Sequence, residues 1–304
     1  MKPKNYYASG KLLLSAEYLL LFGAKGLALP LNFGQNLSVF ESKNIENQQE
    51  KIYWNAYTNE NKMWFSAVIS VDNFDIIATS NKKASRTLQI LLKNVNLAFW
   101  KKSIDYHFET HLEFNNKFGW GSSSTMVSLL SQATNSDPYL LYSKTFKGSG
   151  YDLACATADG PILFQNKNKN HEATPIIFNP SFKKNIFFVY LGKKQNSLKA
   201  ISNLKPPSEN LIKAINQCSL NFIKYQDNEV LFCENIVNHE ELISSYLNQK
   251  TIKETHFKDI AVYAKSMGAW GGDFIMIVCD EKTLPQIKKS GFDIILAFDE
   301  IIKN

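Results

Sequence analysis

Apolar and polar residues alternate in several short stretches of the N-terminal half, with the period of two that is typical of half-buried β-strands. One longer stretch instead has the spacing of an amphipathic helix. We therefore expect a hairpin-rich sheet followed by helices. The predicted strands are Tyr6–Leu14, Leu27–Leu31, Gln35–Phe40, Ile52–Tyr57, Trp64–Val71 and Ile104–Phe114, and the predicted helix is Arg86–Trp100.

The C-terminal half follows a polar linker at Asn166–Glu172 and has longer helical patterns between short apolar runs. The predicted helices are Ser208–Tyr225, Asn228–Asn238, Glu240–Leu247 and Ile252–Ser266. The predicted strands are Asn185–Leu191, Phe274–Cys279 and Ile294–Phe298. This mixture predicts an α+β protein with a domain boundary near residue 180, which gives domains 1–180 and 181–304.

A glycine-rich segment, Lys117–Thr125, connects a predicted strand to the apolar run Met126–Leu130. Its sequence is Lys-Phe-Gly-Trp-Gly-Ser-Ser-Ser-Thr, so glycines precede hydroxyl residues at a helix start. Glycines permit close approach of a ligand, and the N-terminus of a helix favours an anion. The segment predicts a phosphate-binding loop. A tight turn with a serine N-cap is an equally simple interpretation of these residues alone.

Composition narrows the classes of function. The net charge is +6, but the lysines are spread along the whole chain, and no basic run with interleaved aromatic residues indicates nucleic-acid binding. No apolar run approaches the roughly 20 residues that span a membrane. The N-terminus does not resemble a signal peptide, and the four cysteines are scattered. We expect a cytoplasmic protein with free thiols and no membrane or nucleic-acid partner.

Other polar residues lie in unusual places. Lys11 and Glu17 interrupt apolar stretches, where a buried charge is costly unless it is paired or used, although both could also face solvent. Asp152 follows the turn Gly148-Ser149-Gly150 and could be a helix cap or a catalytic base. A third glycine cluster, Gly268–Asp273, implies a tight backbone or close approach of a ligand.

The order of these clusters resembles the GHMP kinases, the superfamily of galactokinase, homoserine kinase, mevalonate kinase and phosphomevalonate kinase. Gly10–Tyr18 is similar to the first family motif, Gly119–Ser124 to the second and Gly268–Asp273 to the third. Gly150–Ala154 is similar to a bacterial branch with a Gly-Tyr-Asp-Ile-Ala signature. The resemblance implies an N-terminal domain like domain 2 of ribosomal protein S5 and a ferredoxin-like C-terminal domain.

The resemblance also implies roles for individual residues. ATP phosphates would bind the second motif, with Ser123 as a magnesium ligand, and Lys11 and Asp152 match the family's catalytic pair. Glu17 would belong to the acceptor site or orient Lys11. The implied phosphate-binding residues are Gly119, Gly121, Ser122, Ser123 and Ser124. The implied substrate-binding residues are Glu17, Gly150, Gly268, Gly271, Gly272 and Asp273.

Several residues depart from the family pattern. Ala16 stands where the family usually has glycine, Trp120 replaces a common leucine or isoleucine, and Trp270 replaces a small residue in the third motif. Leu141 lies near the expected place of an acidic magnesium ligand. Lys193, Lys194 and Ser197 are further candidates for contact with an anionic acceptor, or else belong to a solvated loop.

The sequence therefore predicts an ATP- and magnesium-dependent kinase of a small acid or phosphorylated acid. The isoprenoid-pathway acceptors mevalonate and phosphomevalonate come first, and a sugar or amino-acid hydroxyl is the alternative acceptor. A catalytically weak relative that binds a nucleotide or metabolite is the alternative class. We expect a monomer or a homodimer.

Overall fold

The structure, a computed structural model, describes residues 2–44, 49–167, 170–192, 204–268, 270 and 272–303. The chain forms two compact units that each draw on several separate stretches. The first unit holds residues 1–10, 33–116 and 120–157, and the second holds residues 11–32, 117–119 and 158–304. These are packing units, and the predicted domain boundary near residue 180 stays a prediction.

The first unit is built on a mixed sheet with the strand order β5-β4-β3-β6-β2. β3 and β6 are parallel, the other neighbours in this order are antiparallel, and β1 pairs with β2. The strands are β1 (Lys4–Leu13), β2 (Lys25–Lys43), β3 (Lys51–Tyr57), β4 (Met63–Ser70), β5 (Ile76–Thr79) and β6 (Ile104–Leu112). The helices are α1 (Lys82–Leu92), α2 (Ser122–Thr134), α3 (Pro138–Thr145) and α4 (Tyr151–Thr157).

Helices cover one face of this sheet. Burial alternates along β3 and β6, and inward residues such as Trp54 and Phe108 share a core with Leu91 of α1 and Leu130 of α2. An antiparallel or mixed sheet with one covered face gives this alternation. The period of two in the sequence thus identified β3 and β6 correctly.

The second unit contains an antiparallel sheet with the strand order β10-β11-β9-β12. Every residue of β11 is buried, so its sequence is a continuous apolar run. The strands are β7 (Ile162–Lys167), β8 (Asn170–Pro175), β9 (Ile186–Tyr190), β10 (Tyr263–Ser266), β11 (Phe274–Val278) and β12 (Ile295–Ala297). The helices are α5 (Glu209–Lys224), α6 (Glu229–Leu247), α7 (Ile252–His256), α8 (Leu284–Lys289) and α9 (Phe298–Ile301). β7 pairs with β8 and with the first residues of β2.

The third glycine cluster lies in the connection between β10 and β11. The sequence predicts a helix over Ile252–Ser266, and this prediction is wrong beyond His256. Tyr263 is exposed, whereas Ala264, Lys265 and Ser266 are all buried, so burial does not alternate along the four residues of β10. A strand this short is defined by its pairing with β11 more than by its own pattern.

Other differences have local causes. The two predicted helices at residues 228–247 form the single helix α6, because no breaking residue lies between them. The helix predicted over Arg86–Trp100 begins earlier, with Asn81 as its N-cap, and α1 ends at Leu92. Leu19–Phe22 forms a 3₁₀ helix. Part of the predicted linker at Asn166–Glu172 belongs to β7 and β8, whose outward polar side chains hid the pairing.

Gly34 does not end a strand. The sequence predicts a break between residues 31 and 35, yet β2 is continuous through it. A Cβ at Gly34 would collide with the Ala8 carbonyl oxygen and lie 2.7 Å from the Tyr7 hydroxyl oxygen. The glycine therefore permits the close approach of β1 to β2.

All four cysteines are buried and free, as the sequence predicts. No helix among the described residues is long and apolar enough to cross a membrane.

Replacement of Gly34 by alanine should lower the free energy of unfolding by about 3 kcal/mol, because the methyl group meets rigid backbone. Gly291→Ala is the matched control. Gly291 has φ +91° but open space around its Cβ position, so only backbone strain of about 1–2 kcal/mol is expected. Denaturant unfolding measures both, and an equal or smaller cost at Gly34 would contradict the close approach.

Candidate active site

The glycine loop leads into α2 through a glycine cap. Gly121 is the N-cap residue and has φ +93°, a left-handed conformation that favours glycine. The interpretation with a serine N-cap is therefore wrong, and three serines form the first turn of the helix instead. A glycine cap brings no side chain to the N–H groups of that turn, which an anionic ligand can then contact. This geometry fits a phosphate cradle.

The hydroxyl groups at the start of α2 differ in their surroundings. Ser124 is buried, and its hydroxyl donates to the Gly121 carbonyl oxygen at 2.9 Å. Thr125 donates to Gln35 Oε1 at 2.7 Å. Both side chains hold the helix start in place, whereas Ser122 is half-buried and Ser123 is exposed. The assignment of these serines to phosphate and magnesium stays a prediction.

Trp120 packs in the core of the first unit. Its side chain is 2% exposed, stacks on Phe33 with ring centroids 5.9 Å apart, and tilts onto Phe114 at 5.7 Å. Trp120 directly precedes the N-cap of α2, and within this unit its ring is a packing residue.

Asp152 lies in the first turn of α4. The turn is fixed by Gly150, which has φ +87° and whose carbonyl oxygen accepts from the Leu153 N–H at 3.1 Å. The Tyr142 hydroxyl donates to Asp152 Oδ2 at 3.2 Å, and the Leu153 N–H donates to Oδ1 at 3.2 Å. Burial raises the pKa of Tyr142, and the neighbouring Asp152 raises it further, so this hydroxyl remains a donor. The carboxylate is held in a defined orientation.

Lys11 contacts the glycine loop within the second unit. Its Nζ donates to the Gly119 carbonyl oxygen at 2.8 Å. Gly119 has φ +69°, and a Cβ at this position would lie 2.9 Å from the Asp273 Cβ and closer still to its carboxylate. Glycine is therefore required by conformation and by space. Three residues predicted from three separate motifs, Lys11, Gly119 and Asp273, come together here.

The rest of the third cluster is only partly described. Gly268 has φ +69° and open space around its Cβ position, so its conformation alone favours glycine. Gly271 lies outside the described residues, as do Lys193, Lys194 and Ser197. Gly272 is buried. The substrate-binding roles of Gly150, Gly268, Gly271, Gly272 and Asp273 stay predictions. Lys11 and Asp152 belong to different units, and their pairing also stays a prediction.

Glu17 belongs to a buried cluster of charged side chains in the second unit. Its carboxylate has no exposure to solvent, and Lys265 Nζ donates to its Oε1 at 2.5 Å. Lys265, equally buried, also donates to the Ser266 carbonyl oxygen at 2.9 Å and lies 3.7 Å from Glu240 Oε1. Glu240 in turn accepts from the Ser266 N–H at 2.9 Å. The role of Glu17 in acceptor binding stays a prediction.

Burial sets the protonation of this cluster. It raises the pKa of Glu17 to about 7, against the lowering effect of Lys265, and it raises the pKa of Glu240 as well. Burial, with Lys265 nearby, holds the pKa of His239 well below its usual range. The Ala16 N–H donates to His239 Nε2 at 3.1 Å, so the neutral ring carries its proton on Nδ1. The 3.4 Å contact between His239 and Glu17 is therefore not an ion pair.

The backbone beside Glu17 is strained. Ala16 has φ +66° and Tyr18 has φ +61°, a left-handed region that costs non-glycine residues about 1–2 kcal/mol each. The glycine that the resemblance implies at position 16 would adopt this conformation without that cost. Tyr18 accepts from the backbone N–H of Trp270 at 2.8 Å, and the Trp270 indole N–H donates to the Lys250 carbonyl oxygen at 3.2 Å.

The described residues contain no group of three or more His, Cys, Asp or Glu side chains that could hold a metal ion. Leu141, near the expected acidic ligand, is fully buried in the core of the first unit. Magnesium often keeps several waters and binds through substrate phosphates. The assignment of a magnesium ion to Ser123 stays a prediction.

Solved structures share this fold over the whole chain. Mevalonate kinase from Methanococcus jannaschii superposes with a TM-score of 0.68 at 17% identity, covering 100% of this chain and 99% of that one. Phosphomevalonate kinase from Streptococcus pneumoniae, solved with phosphomevalonate and AMPPNP, has a TM-score of 0.68 at 17% identity and covers 98% and 100%. The chain has the GHMP-kinase fold.

The same fold occurs with a different reaction. Mevalonate diphosphate decarboxylase from Staphylococcus aureus superposes on this GHMP-kinase fold with a TM-score of 0.58 at 12% identity, covering 100% of this chain and 96% of that one. A scan against protein-family models finds no match, and a search of curated protein sequences finds no similar sequence. The fold is thus established, and the reaction has to be argued from the residues.

Several residues of the candidate site are not apparent from the sequence. Tyr142 lies on α3, ten residues before the Asp152 that it contacts, inside an ordinary helical pattern. Lys265 and Glu240 fall in stretches that predict amphipathic helix, where charged residues normally face solvent, and His239 lies between two predicted helices. Of the buried charged cluster, the sequence indicates only Glu17, which like Lys11 is a charged residue within an apolar stretch.

The titration of Glu17 should appear in the pH dependence of stability. Its pKa is about 7 in the folded protein and 4.5 ordinarily, so its contribution is present below pH 4.5 and lost as the pH rises through 7. The groups facing it are Lys265 of β10 and His239 and Glu240 of α6. Relative to Glu17→Gln, the wild-type free energy of unfolding should fall across this window by at most about 1.4 kcal/mol per pH unit.

Denaturant unfolding at a series of pH values measures this difference. Glu241→Gln, at an exposed position on the same helix as Glu240, is the control and should follow the wild type. Parallel pH curves for wild type and Glu17→Gln would contradict the raised pKa.

Proposed function

We propose that this chain is an ATP-dependent small-molecule kinase of the GHMP type. The acceptor is a small acid or phosphorylated acid, with mevalonate and phosphomevalonate as the first candidates. The bond from Lys11 to the Gly119 carbonyl oxygen carries the proposal, because it sets an ammonium group against the glycine loop of a chain with the GHMP-kinase fold. The complex of a structural neighbour with AMPPNP supports ATP as the phosphoryl donor.

In this proposal, residues of the chain bind the nucleotide phosphates, orient the acceptor and accept its proton. The N–H groups at the start of α2, capped by Gly121, bind nucleotide phosphates. Asp152 accepts the proton of the acceptor's hydroxyl group. The oxygen of that hydroxyl forms a bond to the γ-phosphorus of ATP, and the bond from this phosphorus to ADP breaks, so that ADP leaves. Lys11 offsets the negative charge of the transferring oxygens. A phosphate acceptor needs no deprotonation at neutral pH, and Asp152 would then orient it.

Magnesium would supply charge neutralisation for the phosphates. Ser123 is the residue proposed to contribute a ligand, since its exposed hydroxyl stands in the first turn of α2. The proposed setting is cytoplasmic.

A second candidate function is nucleotide or metabolite binding without efficient turnover. The buried Leu141 favours it, because this position offers no carboxylate where the family resemblance implies one. A sugar or amino-acid kinase remains the alternative within the enzymes.

An assay of ADP formation with mevalonate, phosphomevalonate, homoserine and hexoses tests the proposal. We expect turnover with one acid or phosphorylated acid, and a loss of at least about tenfold in Asp152→Ala and in Lys11→Ala. Lys62→Ala is the matched control, because its ammonium pairs with Glu60 on the surface. ATP binding without turnover of any acceptor would favour the binding protein, and wild-type rates in both variants would remove the assigned roles.

Tyr142→Phe should shift the pH dependence of the reaction. A hydrogen bond to the ionised form lowers the pKa of a carboxyl group, so its loss should raise the pKa of Asp152 and move the acid limb of kcat/KM to higher pH. A several-fold fall in kcat is expected with it. Tyr106→Phe removes a tyrosine hydroxyl that donates to the Phe99 carbonyl oxygen and should leave the pH profile unchanged. An unshifted acid limb in Tyr142→Phe would show that this bond does not act on the reaction.

A further inference from the structure

Four consecutive residues of the first motif are each bonded to a different element of the second unit. The Ser15 hydroxyl bonds to Ser219 of α5 at 2.7 Å, and the Ala16 N–H donates to His239 of α6. Glu17 accepts from Lys265 of β10, and the Tyr18 hydroxyl accepts from the backbone of Trp270. We call Ser15–Tyr18 the anchor segment.

The bonds of the anchor segment follow a consistent direction. The Ser219 hydroxyl donates to the Lys25 carbonyl oxygen at 2.7 Å, so the Ser219 oxygen is the acceptor in its bond with Ser15. The Ser15 oxygen in turn accepts from the Leu27 N–H at 2.9 Å. Every hydroxyl proton in this chain of bonds has an acceptor. These hydrogen bonds therefore define the direction of each serine hydroxyl group as well as its partner.

Strain in the anchor segment shows how firmly it is held. Two left-handed non-glycine residues within three positions persist only where the surroundings over-determine the backbone. Hydrogen bonds to three buried residues, Ser219, His239 and Lys265, hold the backbone in this conformation. A backbone segment held in this way can in turn hold in place the residues that are hydrogen-bonded to it.

Two of the anchored partners flank or belong to the third glycine cluster. Lys265 lies in β10, directly before the cluster, and Trp270 lies inside it. Ser266, the last residue of β10, is held by Glu240, which also faces Lys265. The start and the middle of the cluster are thus tied to the same four-residue segment.

We infer that Glu17 and Tyr18 are positioning residues that hold the third glycine cluster in place, through Lys265 and Trp270, without contact between Glu17 and the acceptor. The complete burial of Glu17 and its short bond to Lys265 support this role. The catalytic part of the inference rests on the proposed function, because it links the anchor segment to acceptor binding.

Hydrogen exchange of single backbone amides, measured by NMR, tests the positioning directly. Glu17→Met removes the acceptor of Lys265, and Tyr18→Phe removes the acceptor of the Trp270 N–H. We expect the Trp270 amide to exchange roughly tenfold faster or more in both variants, the scale of a lost buried hydrogen bond. The Val189 amide of β9 reports on global opening and should change much less.

Glu17→Gln separates positioning from acceptor contact. The glutamine oxygen can still accept from Lys265, and Glu240 Oε1, 3.7 Å from Lys265 Nζ, remains as a counter-charge, so positioning predicts near-wild-type exchange at Trp270 and a near-wild-type KM for the acceptor. Lys101→Met is the control, since its surface pair with Glu41 lies in neither motif. If Glu17→Met does not fold, Tyr18→Phe still decides whether Trp270 is held by the anchor segment.

Three results would overturn the inference. One is unchanged Trp270 exchange in Tyr18→Phe or in folded Glu17→Met, and another is an equal acceleration at Trp270 and Val189. The third is an increased acceptor KM in Glu17→Gln with intact protection, which would place Glu17 in contact with the acceptor. Absence of any turnover would contradict the proposed function, while the exchange result would still decide the positioning.

Discussion

The ion pair between Glu17 and Lys265 is the constraint on which much of the second unit depends. Both side chains are removed from water, and breaking such a pair leaves an uncompensated buried charge. The chain therefore has to bring the end of β1, the face of α6 and the end of β10 together as one arrangement. Hydrophobic packing alone would tolerate small shifts between these elements, whereas the charged atoms do not.

The fold by itself leaves the reaction open, because kinases and a decarboxylase share it with this chain. What distinguishes the chain is the chemistry of a few positions. Lys11 on the Gly119 carbonyl oxygen and the oriented Asp152 are the features expected of phosphoryl transfer. Leu141 is the feature that argues for weak activity.

Sequence reasoning succeeded where one local rule acted without competition. Strand β6 and the helix after the glycine loop follow from periodicity and glycine placement. It failed at β10, whose four residues show no alternation of burial, and at Gly34, which permits a close approach inside a continuous strand. It also missed Tyr142 and the partners of Glu17, since contacts between distant residues leave no trace in local composition.

One consequence of the buried cluster concerns the folding reaction itself. The cluster contains two carboxylates, one ammonium group and a neutral histidine, and burial raises the pKa values of both carboxylates. Between the ordinary pKa of Glu17 and its raised value, the native core holds a proton that the unfolded chain releases. When the chain folds in mildly acid solution, Glu17 therefore takes up a proton, while His239, whose pKa burial lowers, releases one, and the measured heat includes the ionisation of the buffer for the difference between the two.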